Sequence, residues 1–191
     1  MTTQSTISHA WWLASRSAGV VALLLLSASV VLGLVMATKV APVRFRPALR
    51  IAHERVALLS LASIGAHGLF LIPDTYLRPG LAGVLVPFAG TYRPLWTGVG
   101  ILGGYLAAAL SLTYYARKRI GTRRWRKAHR LIPIAWAMAV VHTLGAGSDA
   151  GSPWLALPIA ATILAVAGLL GYRLLGPRHP LRAPARSGAT I

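Results

Sequence analysis

Apolar positions in this 191-residue chain come as long unbroken runs, separated by short and strongly basic segments. Five windows contain no Asp, Glu, Lys or Arg: 17–38, 56–73, 94–116, 131–148 and 150–172. Each is close to the ~20 residues that a helix needs to cross the hydrocarbon layer. The pattern therefore predicts an all-α, polytopic membrane bundle of about five transmembrane helices. The two shortest windows, the second and the fourth, are expected to extend back to about Ile51 and Trp125, which draws His53 and His129 into their helices. The first window is too long for a signal-peptide core and has no basic segment before it, so it reads as a retained anchor. Residues 1–10 read as an N-terminal outer segment and 11–176 as the membrane domain. The basic, Pro-rich tail 177–191 reads as disordered near anionic headgroups.

The distribution of charge orients the bundle. Seventeen of the 20 Lys and Arg fall in the first connection, the third connection and the tail; only Arg16, Arg78 and Arg93 lie on the other side. Cations collect on the cytoplasmic side, so the N-terminus is predicted outside and the C-terminus in the cytoplasm, in the inner (plasma) membrane. Trp11, Trp12, Trp96 and Trp154 fall at outer span ends, where an aromatic belt belongs. The net charge of +17 does not imply nucleic acid, because the basic residues lie between apolar runs rather than on a soluble motif with interleaved aromatics. With no cysteine in the chain, disulfides, thiolate metal sites and covalent haem attachment are excluded, and histidine is left as the main metal ligand.

Of six histidines, His9 and His179 lie in the termini and four lie on spans. His53 and His67 stand at i and i+14 on the second span; His129 and His142 stand at i and i+13 on the fourth. Both spans run from inside to outside, so His53 and His129 share an inner level and His67 and His142 an outer level, roughly 20 Å away at ~1.5 Å per residue. Two imidazoles at each of two levels on parallel helices is an arrangement suited to two stacked b-type haems with axial histidines. Buried polar or packing histidines are the bland alternative, and a proton relay is another. A relay favours carboxylates, and no span interior contains one. The angular test favours the second span: an i, i+14 spacing returns to within ~40° of one face, whereas i, i+13 leaves the fourth-span pair ~140° apart. Pro133, between that pair, is expected to kink or widen the helix.

The segments "HERVALLSLASIGAH", "VPFAGTYRPLW" and "RRWRKAHRLIPIAWAMAVVH" resemble the ferric reductase-like transmembrane domain, over about residues 16–173. That family includes ferric reductases, NADPH oxidases and the haem-binding subunit of a bacterial methionine sulfoxide reductase system. The resemblance implies haem iron ligated by His53, His67, His129 and His142. It further implies a role as electron-transfer component of an oxidoreductase, with electrons moving from a cytoplasmic donor, a flavoprotein or quinol, to an external acceptor such as ferric iron, oxygen or a partner reductase. No dehydrogenase domain is expected after Arg173, so flavin or quinone chemistry is assigned to a separate donor. The run "GVGILGG" satisfies G-x-G-x-x-G but lies in an apolar span with no strand before it, so it fails as a dinucleotide site; Gly100 and Gly104 read instead as points of close approach. Arg50, Arg55, Arg126 and Arg130 flank the inner level, and Arg16, Arg78, Tyr92 and Arg93 the outer one. Arg16 and Arg130 are the leading candidates to pair with haem propionates. "LAGVLVPF", in the connection 74–93, is expected to cap the outer level. A haem-free small transporter or assembly subunit is the competing reading.

Overall fold

The computed structural model describes the backbone of residues 3–175 and side chains from residue 9 onward; the tail at 177–191, with His179, lies outside the described residues. All regular structure among these residues is helical. Helix α1 (Thr3–Thr38) begins before the uncharged window at Ser17 and before the membrane domain expected from residue 11, and runs uninterrupted through residues 10 and 11. Its early start follows from "ISHAWWLASR", which has no helix breaker, and from a partner for the charge of Arg16: the guanidinium pairs with both carboxylate oxygens of Asp149. A turn through Pro42 leads to α2 (Arg46–Leu71), which carries Pro47 in its first turn, where a missing N–H costs nothing. The short α3 (Gly80–Leu85) lies in the connection to α4 (Pro94–Leu112). Two basic segments follow, α5 (Arg117–Ile120) and α6 (Thr122–His129), hinged at Gly121 with φ +96°. Then come α7 (Ile132–Ala146) and α8 (Pro153–Leu175).

Two antiparallel pairs dominate the packing: α1 with α2, and α4 with α7. They are joined where α1 meets α7 and α8. Leu23, Leu26, Val30 and Leu34 form a stripe along α1 at helical spacing and pack with Trp136 and Val140 of α7 and Leu155, Ile159 and Val166 of α8. Within this core the Trp136 indole N–H donates to Ser27 Oγ at 2.9 Å, so the indole's polar atom is satisfied. Helix α2 takes no part in it. Its one buried residue is Ser60, bonded to the Ala22 carbonyl. The face that α2 turns toward the second pair carries the histidines instead.

Four helical stretches among the described residues are long and apolar enough to cross a membrane: His9–Thr38, Val43–Leu71, Pro94–Leu112 and Pro153–Leu175. Large apolar side chains such as Leu157, Leu164 and Leu69 stand on their outer surfaces, as expected of a protein solvated by lipid. The expected span over 131–148 is realised as α7, only 15 residues long. At ~1.5 Å per residue it covers ~22 Å, less than the ~30 Å hydrocarbon layer. The shortening has a local cause. A proline ring clashes with the carbonyl four residues earlier, and for Pro133 that residue is His129, the last residue of α6.

Candidate metal centres

The four histidines expected on spans meet in two pairs, although His129 ends α6 and lies outside α7, so the fourth span does not extend back to Trp125 as one helix. His53 of α2 and His129 at the end of α6 have ring centres 6.2 Å apart, with planes at 86°. His67 of α2 and His142 of α7 are also 6.2 Å apart, with planes at 67°. Thus each level pairs one ring from each half of the bundle, as the spacing predicts.

Each imidazole is held the same way. Nδ1 lies 2.9 Å from the Ser29 carbonyl for His53, 2.8 Å from the Ser15 carbonyl for His67, 3.1 Å from the Leu110 carbonyl for His129 and 2.9 Å from the Trp96 carbonyl for His142. A carbonyl only accepts, so Nδ1 carries a proton in all four rings, and it is Nε2 that has the lone pair in the neutral imidazole. Fixing Nδ1–H in this way orients a ligating histidine and raises its basicity.

A helical carbonyl already accepts from the amide four residues on, and a side chain there would crowd a lateral donor. Three of the four sites have glycine at that position: Gly33 after Ser29, Gly19 after Ser15 and Gly100 after Trp96. A Cβ on Gly19 would lie 2.9 Å from His67 Nδ1, one on Gly33 3.2 Å from His53 Cε1, and one on Gly100 2.5 Å from His142 Cγ. The fourth carbonyl, of Leu110, belongs to the last turn of α4, where carbonyls are left open; it takes a bond from the Thr113 hydroxyl as well as from His129.

The partner carbonyls on α4, at Trp96 and Leu110, are spaced i, i+14, yet their histidines are spaced i, i+13. The difference is absorbed between α6 and α7, at Arg130 and Leu131, where Leu131 N–H bonds Ala128 O and Ile134 N–H bonds Leu131 O. Such i→i+3 bonds turn the chain by ~120° per residue instead of ~100° and raise it ~2.0 Å instead of ~1.5 Å. The break therefore overwinds. It adds rotation and rise in the sense that an ideal helix lacks at i+13, whereas the sequence suggested a kink or wide turn at Pro133 itself; Pro133 sits in the first turn of α7 instead.

The surroundings of the two levels differ. A cavity of about 290 Å³ adjoins the His53–His129 pair, and its lining includes Gly33, Arg126, Arg130 and Arg173 as well as the two histidines. Arg130 is thus where the sequence put it, and Arg173, read only as a topology charge, joins it. The indole of Trp125 stacks on His129 at 5.2 Å, and its Nε1 is buried without a partner, a donor left for an acceptor in this region. On the side of the His67–His142 pair the nearby cations are already engaged. Arg16 is committed to Asp149 and lies over Trp12; Arg93 donates to the Gly145 carbonyl, and Arg78 to Thr75. Arg50 and Arg55 lie on the exposed side of α2. Tyr92 donates to the Ala146 carbonyl, tying the outer connection to α7. "LAGVLVPF" docks on both pairs: Val84 lies against Gly68, next to His67; Leu85 O accepts from Tyr105; and Phe88, at φ +67°, fills the space above Gly98.

Two imidazoles that bound one metal from opposite sides through Nε2 would stand roughly 6.3 Å apart centre to centre, from metal–nitrogen bonds of about 2.0–2.1 Å plus about 1.1 Å to each ring centre. The observed 6.2 Å matches at both levels. Among the described residues no group of three or more His, Cys, Asp or Glu is gathered. Each level thus offers two ligands only, which suits a metal whose other positions are filled by a macrocycle. The residues present fit haem. Sequence reasoning missed the serine–glycine partners on α1, though a signal was there: Ser-x3-Gly begins at Ser15 and again at Ser29, repeating the interval from His53 to His67. Compared with known families, curated proteins and solved structures, the chain matches none.

Proposed function

We propose that this chain is a membrane dihaem cytochrome b, an electron-transfer component that carries electrons from a cytoplasmic flavoprotein or quinol to an acceptor outside the cell, such as ferric iron, oxygen or a partner reductase. The observation that carries the reading is the duplicated pair of Nδ1-tethered imidazoles at 6.2 Å. His53 and His129 would hold the inner haem, and His67 and His142 the outer one. Bound haem supplies a one-electron iron couple at each level.

The chain's own contribution is placement. The i, i+14 spacing on α2 separates the levels by ~21 Å along the helix axis. Arg126, Arg130 and Arg173 stand where they can pair with inner propionates, and guanidinium groups suit carboxylates. The four long apolar helices and α7 are read as five crossings of the inner (plasma) membrane, with the basic connections and C-terminus in the cytoplasm, by the excess of cations there. Because α7 is short, α6 and its arginines would enter the inner headgroup region, where long basic side chains reach water. The test is a dithionite-reduced minus oxidised spectrum of the purified full-length protein from haem-sufficient cells. A b-type α band is expected, and its absence would refute the proposal.

A further inference from the structure

Three of the four imidazoles sit in the same local device, a helical carbonyl followed four residues later by glycine. The device occurs twice on α1, as Ser15–Gly19 for His67 and Ser29–Gly33 for His53, and once on α4, as Trp96–Gly100 for His142. In an unkinked helix, a residue without Cβ four positions on leaves that carbonyl the most room for a bulky lateral donor such as an imidazole. Other glycines of these helices differ: a methyl group on Gly168 or Gly171 of α8 would meet nothing within 4 Å, and one on Gly98 or Gly145 would meet Phe88 or Trp96 rather than a histidine. We infer that Gly19, Gly33 and Gly100 are positioning residues that seat individual axial ligands, each assigned to one level, and that the Ser15 hydroxyl tunes the outer level. This rests on the dihaem reading.

Ser15 is the most specific part. It is 1% exposed, its Oγ donates to the His67 carbonyl at 2.8 Å, and the same oxygen lies 3.0 Å from His67 Nδ1 as a second acceptor for that N–H. Ser29 Oγ is farther from His53, at 3.3 Å. An acceptor on Nδ1–H makes the imidazole a stronger donor to iron and favours the oxidised metal. Ser15→Ala, which leaves the Ser15 carbonyl in place, should shift the outer midpoint potential upward and leave the inner one unchanged, with Ser29→Ala giving a smaller shift at the inner haem.

The test combines haem stoichiometry with redox titration of the full-length protein. Gly19→Ala and Gly100→Ala, on different helices, should both remove or displace the outer haem and spare the inner. Gly33→Ala should affect the inner one alone and more mildly, since its contact is 3.2 Å. Gly168→Ala should change nothing. Retention of the untouched haem shows that each variant is folded. If the wild type binds two haems but the glycine variants keep both at wild-type potentials, or lose both together, the inference falls while the dihaem reading stands. A wild type without haem overturns both.

Discussion

The two helix pairs hold their histidines by different registers. In α1 and α2 everything is regular: carbonyls spaced i, i+14 face histidines spaced i, i+14, on continuous helices. In α4 and α6–α7, carbonyls spaced i, i+14 face histidines spaced i, i+13, and the missing residue is compensated at a break that overwinds. A spacing that fails the test for an ideal helix is therefore no objection when proline follows the first histidine by four. His129 and Pro133 have that relation, so the residue that ends one helix is itself a candidate ligand.

The most severe way to break the comparison is to remove ligands. His67→Ala and His142→Ala should each abolish the outer haem, and His53→Ala and His129→Ala each the inner one, as read by haem per chain. If His67→Ala and His142→Ala removed different haems, the pairing across the two halves would be wrong.

Register changes come next and bear on the irregular half alone. Pro133→Ala should let α6 run into α7 as one ideal helix with its histidines still at i and i+13, swinging one ~140° off the shared face and costing one haem. Inserting one alanine between Arg130 and Leu131 should also cost a haem, because the break would then over-rotate by ~100°. Combining the two should restore both haems, since i, i+14 on a continuous helix is the solution already used in α2. Failure of the double change to exceed either single one would contradict the overwinding account.

Smaller effects should distinguish the levels. Arg173→Ala removes one of three arginines around the inner cavity and should weaken inner haem retention by about threefold to tenfold, on the order of 1 kcal/mol, with the outer haem unaffected. Arg16→Ala should leave both haem spectra unchanged and lower thermal stability by about 1 kcal/mol or less, because its guanidinium serves Asp149. A change in the outer spectrum on losing Arg16 would return that residue to the haem site.

Much of this was legible in the chain because a bilayer imposes long, countable periods. Uncharged windows located the helices, and the i, i+14 spacing at a fixed rise put His53 and His67 on two levels. What escaped detection was set by neighbours rather than by period. Arg16 reads from sequence as a propionate partner, and no local period announces that the fold pairs its guanidinium with Asp149, 133 residues away. The boundary expected between residues 10 and 11 is absent, since α1 already runs from Thr3 through that point. The serines and glycines of α1 looked neutral one at a time; their meaning lies in facing α2 in antiparallel order, Ser15 with His67 and Ser29 with His53. Pro133 did announce a disturbance, but a proline acts on the turn before it, so the break falls at Arg130 and Leu131.

If each level is built for one haem, the purified wild-type chain should carry both at once, and pyridine haemochrome quantitation tests this most directly. Two haems b per chain is the predicted result; a preparation from haem-sufficient cells that contains none would contradict the account.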